Sequence, residues 1–220
     1  MRPDILFPYF ADVTSLKGVG DRVREALSRA MGTRVKDLLF TPPSSVIDRS
    51  YRPHISGAKK DEICTFTVTV GQHRAPASRQ RPYRIRVFDE TGDMTLVFFQ
   101  ARSDYLNRIL PEGSTRIISG KVDVFNAELQ MTHPDYVLAP KDIDDLPIFE
   151  TQYPLTAGLS QKIARKAVMQ AVDRAATLPE WLDPHMLEQQ DWPGFSDALT
   201  QMHQSKVADA WIMRCHVARP

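Results

Sequence analysis

The chain has 220 residues, of which 42% are hydrophobic and 25% charged, values that fit one or two small globular domains and argue against disorder as the default state. No window approaches the roughly 18 uninterrupted apolar residues of a membrane span, and the start MRPDILFPYF lacks the basic and apolar regions of a secretory signal, so a cytoplasmic chain without a membrane role is expected. The 28 Lys and Arg nearly balance the 27 Asp and Glu, and the two cysteines, Cys64 and Cys215, lie too far apart for a zinc pair or a disulfide framework. The common phosphate-cradling and nucleophile motifs, GxxxxGK[ST], GxGxxG, GxSxG and HExxH, do not occur.

The first predicted elements are helical. Leu16-Lys17-Gly18-Val19-Gly20 precedes DRVREALSRAM, in which Val23, Ala26, Leu27 and Ala30 share a face at helical spacing. A second apolar cluster, Val35, Leu38, Leu39 and Phe40, must end as a helix at Pro42-Pro43. A hydrophobic-Gly-hydrophobic-Gly turn between helices resembles a helix-hairpin-helix element. Its backbone N–H groups and the following helix N-terminus can hold a phosphate without reading a base, or the glycines simply make a tight turn.

From Arg49 to Arg86 the chain carries nine basic residues against two acidic ones. Strands are predicted over Cys64–Val70, Tyr83–Phe88 and Met94–Phe99, with Thr91-Gly92-Asp93 as a hairpin turn. A helix over Arg102–Leu110 follows, carrying Tyr105, Leu106, Ile109 and Leu110 at helical spacing, and strands resume over Thr115–Val122 and Glu128–Thr132. Three strands, a helix and two strands with short turns match an OB-fold, a partly open five-stranded Greek-key barrel. Beyond Pro140 the balance reverses: residues 141–198 hold ten acidic and five basic side chains. An acidic linker, Lys141 to Leu146, leads to a helix over Gln161–Ala176, with Ser160 as N-cap and Ile163, Ala167, Val168, Ala171 and Val172 as its apolar stripe. A shorter helix is expected from Phe195 to His203. The predicted class is therefore α+β, with a small helical hairpin region (1–50), a barrel (51–140), an acidic linker and helical extension (141–204) and a tail (205–220).

Arg84 and Arg86 share one strand face and, with Arg81, flank Tyr83, so a row of cations on the barrel is either a polyanion groove or a solvated outer face. Phe98 and Phe99 are adjacent in one strand and point to opposite faces. By composition both are expected to be buried, one in the barrel and one beneath the helix. The alternative is that one is core and the other is exposed to stack on a base, and parity with Leu96 then makes Phe98 the core residue and Phe99 the outward one, although Val97 on the other face is apolar too. Tyr83 and Tyr105 are the next aromatic candidates. The histidines offer no ligand pair, and Asp89, Glu90 and Asp93 surround a turn glycine, so a hairpin cap is expected there and no metal site.

The segments SLKGVGDRVREAL, VKDLLFTPPSSVIDRS, MTLVFFQARSDYL, SGKVDVFNAELQMTHPDYV and YPLTAGL, taken in this order, closely resemble the N-terminal part of RecG-type ATP-dependent DNA helicases. The resemblance runs from about Leu16 to His203. It implies a wedge domain built on an OB-fold that meets branched DNA, forks and Holliday junctions, in recombination, repair, fork reversal and branch migration. It also implies a strand-separating role at Phe98 and Phe99, DNA contacts at Arg84, Arg86, Gly18 and Gly20, and structural landmarks at His133-Pro134 and Tyr153-Pro154. In that family a separate motor uses ATP and Mg²⁺. Motor motifs are absent from this sequence, so no cofactor and no motor activity are expected of it, and the residues after His203 do not resemble the entry into a motor. Branched DNA is the implied partner, with a single-strand DNA-binding protein as a second; a monomer is expected. The reading from another class is an OB-fold that binds a protein partner through its arginines and has no DNA role.

Overall fold

A computed structural model describes residues 3–76, 78 and 81–204. Arg79 and the tail from residue 205 lie outside the described residues. In chain order the helices and strands are α1 (Phe7–Phe10), α2 (Asp21–Ala30), α3 (Val35–Leu39), β1 (Ser45–Asp48), β2 (Ile63–Arg74), β3 (Tyr83–Phe88), β4 (Asp93–Phe98), α4 (Ser103–Ile109), β5 (Thr115–Phe125), β6 (Glu128–Thr132), β7 (Tyr136–Leu138), β8 (Phe149–Gln152), α5 (Gln161–Ala175), α6 (Pro184–Gln190) and α7 (Phe195–His203). The chain divides into two compact units. Among the described residues, one joins 3–47 to 149–204, and the other lies within 48–148.

The first unit is mainly helical, with β1 and β8 forming a two-stranded sheet. Its core draws on both ends of the sequence: Leu16, Leu27, Val35 and Leu38 cluster with Tyr153, Val168 and Val172. The N-terminal helical region and the C-terminal extension, predicted as separate segments, thus share one hydrophobic core. On α5 the buried stripe is Ala164, Ala167, Val168, Ala171, Val172 and Ala175, at the i, i+3, i+4, i+7 spacing of one helix face. Ile163 lies off that stripe and is exposed, while Ser160 caps the helix by accepting from the Ile163 N–H at 3.4 Å. The small alanines let the backbone of α5 approach its neighbours closely.

One polar cluster is sealed into this unit. His203 is 1% exposed and Tyr153 equally so. His203 Nε2–H donates to the Leu39 carbonyl at 2.9 Å, which leaves Nδ1 as the acceptor of the Tyr153 hydroxyl, also at 2.9 Å. Burial disfavours the imidazolium and holds the His203 pKa below 6.5, against a smaller opposing effect of the Leu39 bond; burial likewise pushes the Tyr153 phenol up to about 12.

The second unit is a closed barrel. Its strand order is β2-β3-β4-β6-β5, with β5 returning to pair with β2 and β7 added beside β5. All these pairings are antiparallel except β4 with β6, which is parallel. With α4 inserted between the third and fourth barrel strands, this is the OB-fold Greek-key topology. The alternation in β3 is clean: Tyr83, Ile85 and Val87 are buried, while Arg84, Arg86 and Phe88 face outward. Leu106 and Leu110 close the barrel beneath α4, against Phe66, Ile85, Leu96 and Ile118. Two features go beyond the predicted order. The three-residue β7 was too short to show a period, and the expected acidic linker is in part ordered, with Pro140–Asp145 forming a 3₁₀ helix.

Because His203 binds protons less readily folded than unfolded, the unfolded chain takes up more protons below pH 6.5, and stability falls as pH drops from about 7 through the lowered pKa. Urea midpoints measured at pH 7.5 and 5.5 should show this loss, and His203→Gln should flatten it.

Candidate nucleic-acid interface

The outer face of the barrel is set by the β2–β3 register. Val70 pairs with Val87, yet four residues on Arg74 pairs with Arg84, because the register slips by one residue between Val70 and His73. This β-bulge decides which side chains face out. Without the slip Arg74 would oppose Tyr83 and point to the core side. With it, His73 opposes Ile85 and reaches the hydroxyl of Tyr83 (3.1 Å) and the Leu110 carbonyl (2.8 Å), while Arg74 lies across from Arg84. The backbone N–H of His73, at the end of the bulge, donates to Glu112 at 2.8 Å.

Arg74 is exposed and Arg84 half-buried, and neither has an ion-pair partner among the described residues. Arg86 differs. It grips Asp93 with two N–H···O bonds of 2.9 Å, the hydrogen bonds and charge of the pair holding Asp93 below the usual carboxylate range. Of the row of cations expected on this strand, Arg86 is neutralised by Asp93, whereas Arg84 has no ion-pair partner among the described residues and faces Arg74 of β2.

Phe98 and Phe99 also part company. Phe98 is 7% exposed and belongs to the barrel core, whereas Phe99 is 50% exposed just past the end of β4. Tyr83, 4% exposed, is a core residue as well. Neither Phe98 nor Tyr83 offers its ring to a ligand: for Phe98 this agrees with the parity reading and corrects the strand-separating role the resemblance implied, and for Tyr83 it corrects the expectation of an aromatic contact. Tyr105 on α4 is half exposed, with Arg108 lying 5.7 Å from its ring centroid, and Arg81 is exposed ahead of β3.

Gly18 and Gly20 belong to the helical unit. Gly18 has φ +88°, a left-handed turn that only glycine adopts readily, and Gly20 precedes α2 without a side-chain cap. The neighbouring Lys17 N–H is already spent, donating to Gln170 Oε1 at 2.8 Å, and Gln170 returns a bond to the Lys17 carbonyl. This turn is clamped to α5 on one side.

Asp89 caps the β3–β4 hairpin. Burial raises its pKa, but hydrogen bonds from the N–H groups of Ile55, Thr91 and Gly92 and from the Thr91 hydroxyl outweigh that and bring it down to about 2. No group of three His, Cys, Asp or Glu side chains is placed to hold a metal ion among the described residues.

Two residues of this face were not singled out from sequence. Arg74 needs the bulge to face outward, and Gly71-Gln72 gives only a weak hint of one. His133, read as a landmark, contacts both Phe98 and Phe99, with ring centroids 5.9 Å away in each case.

A family model, the RecG wedge domain, matches residues 12–174. The chain belongs to the RecG wedge domain family. Among curated relatives, the ATP-dependent DNA helicase RecG of Aquifex aeolicus is 23% identical over 188 residues, covering 81% of this chain and 24% of the relative. The RecG of Pasteurella multocida is 26% identical over 182 residues, 79% of this chain and 26% of that protein. The chain thus spans about a quarter of the length of these relatives. A solved structure, RecG bound to a three-way DNA junction, superposes with a TM-score of 0.77 at 21% identity, over 94% of this chain and 28% of the other, and establishes a shared wedge fold.

The two phenylalanines of this wedge should respond oppositely to truncation. Phe98→Ala should cost about 3–5 kcal/mol in denaturant unfolding, as a lost core ring does. Phe99→Ala should stay within about 0.5 kcal/mol of the parent.

Proposed function

We propose that this chain binds branched DNA, forks and four-way junctions among them, as the wedge region of a RecG-like helicase. The observation that carries the reading is the Arg74–Arg84 pair on the outer barrel face; Arg84 stands opposite Val97 near the end of β4, just past which the ring of Phe99 is exposed. Like charges directly opposed on neighbouring strands destabilise a sheet. Here no carboxylate among the described residues neutralises them, whereas Asp93 does so for Arg86. Phosphates fit such a pair, and their neutralisation releases counterions, which makes binding salt-dependent and blind to base sequence. An exposed aromatic ring adds stacking on any base, worth about 1–3 kcal/mol, and is best satisfied where a duplex ends or forks. The junction-bound RecG structure supports the same assignment.

Within a RecG-like protein such a module would serve recombination, repair, fork reversal and branch migration. ATP hydrolysis with Mg²⁺ would fall to a separate motor, since this sequence contains no GxxxxGK[ST] motif. A single-strand DNA-binding protein is a second partner, resting on the family resemblance alone, and we infer a monomer acting in the cytoplasm. No helix among the described residues is long and apolar enough to cross a membrane.

In competition binding, a three-way junction should displace the chain from a linear duplex of equal length; equal affinities would refute the reading and favour a protein partner. Arg74→Ala with Arg84→Ala should weaken binding to every DNA alike and lower the slope of log K against log salt by roughly 2. Arg86→Ala should leave that slope nearly unchanged, because its guanidinium is already committed to Asp93.

A further inference from the structure

The end of the β4–β6 ladder is closed in an unusual way. Val97 pairs with Thr132, and the His133 N–H donates to the Val97 carbonyl at 2.9 Å. In a continued parallel ladder the next bond would run from the Phe99 N–H to the carbonyl of His133. That bond is not made. His133 adopts a left-handed conformation, φ +48°, which ends the extended pairing, and its side chain takes over: Nε2 accepts the Phe99 N–H at 3.1 Å. The same imidazole lies against both phenylalanine rings, tilted by 34° to Phe99 and nearly perpendicular to Phe98. Gln100, the next residue, is also left-handed, φ +55°, so the chain turns away on both sides of this contact.

We propose that His133 is the positioning residue of the wedge: its imidazole replaces its own backbone carbonyl as the acceptor for Phe99 and braces the exposed ring at the angle needed to meet a branch point. The side chain is exposed and belongs to neither the core nor the arginine pair. Its work is to satisfy one backbone donor at the place where the sheet stops, so that Phe99 leaves the barrel with a fixed direction. An exposed ring on an unbonded strand end would sample many orientations and lose preference for a fork over a duplex. Bonding through Nε2 requires the neutral tautomer with its proton on Nδ1, since an imidazolium has no lone pair to offer. The proposal rests on the branched-DNA reading for its consequence but not for its geometry, and the two are tested separately.

The first arm uses the free protein. Nitrogen NMR of the His133 ring should report the Nδ1–H tautomer with Nε2 as a hydrogen-bonded acceptor, and the Phe99 amide should exchange slowly although the residue is exposed. His133→Asn suits the left-handed backbone but is too short to reach, and should speed that exchange; His133→Gln, whose side-chain oxygen reaches the Nε2 position, should restore protection. The Nε2–H tautomer, or exchange unaltered by Asn, overturns the proposal whatever DNA does. The second arm measures the ratio of fork to duplex affinity, with 2-aminopurine at the branch reporting stacking. His133→Asn should reduce the ratio about fivefold at an unchanged melting temperature, the effect of one lost hydrogen bond, and Gln should recover most of it. A parent protein without fork preference defeats the branched-DNA reading while leaving the first arm standing. A parent that prefers forks and loses this preference with Phe99→Ala but not with His133→Asn defeats the positioning role alone.

Discussion

A one-residue slip of register between β2 and β3 governs the outer surface of the barrel. Because side chains alternate along a strand, the bulge between Val70 and His73 sends every later residue of β2 to the face opposite the one it would otherwise occupy. It turns His73 towards Tyr83 and the end of α4, where the imidazole is fully bonded, and puts Arg74 outside opposite Arg84. Glu112, accepting from the His73 N–H, fastens the bulge to the loop after α4. One irregular stretch thus repairs the inside of the barrel and charges its outside.

The same face shows how little a count of cations says about binding. Arg84 and Arg86 lie two residues apart on one strand and look equivalent in sequence. Across the sheet, Arg86 meets its own counter-charge on β4 at Asp93, while Arg84 stands opposite Val97 and Arg74. Of these two arginines, the one without a carboxylate is the one nearer in register to the end of β4, just past which Phe99 is exposed.

Much of this was legible beforehand where a pattern is local. The order of barrel strands, α4, the Ser160 cap and the length of α5 followed from period and breakers, because the apolar side of each element is buried against its own unit. The outward assignment of Phe99 followed from parity with Leu96. What escaped was non-local or irregular. Tyr83 sits between arginines in sequence, yet its ring is in the core and its hydroxyl is met by His73, a partner that only the bulge delivers. Ile163 fell off the α5 stripe because the buried arc is centred on alanines. The pairing of β1 with β8 joins segments about a hundred residues apart, for which four-residue strands give no signal. His133 carried none either, since its role depends on a left-handed backbone at the point where two strands stop pairing.

That distant pairing bears on how the polypeptide reaches its fold. The helical unit is assembled from residues within 3–47 and 149–204, so its core can form only when a loop of about a hundred residues has been closed. For a flexible chain the entropic penalty of such closure is on the order of 4 kcal/mol. The intervening residues, however, make a barrel with a hydrophobic core of its own, and the Arg49 N–H at one of its ends bonds the Ile148 carbonyl at the other, 2.8 Å away. A folded barrel is thus a loop already closed. If it forms first, the two halves of the helical unit are delivered to each other as near neighbours, and the slow search for a distant partner is replaced by a short one.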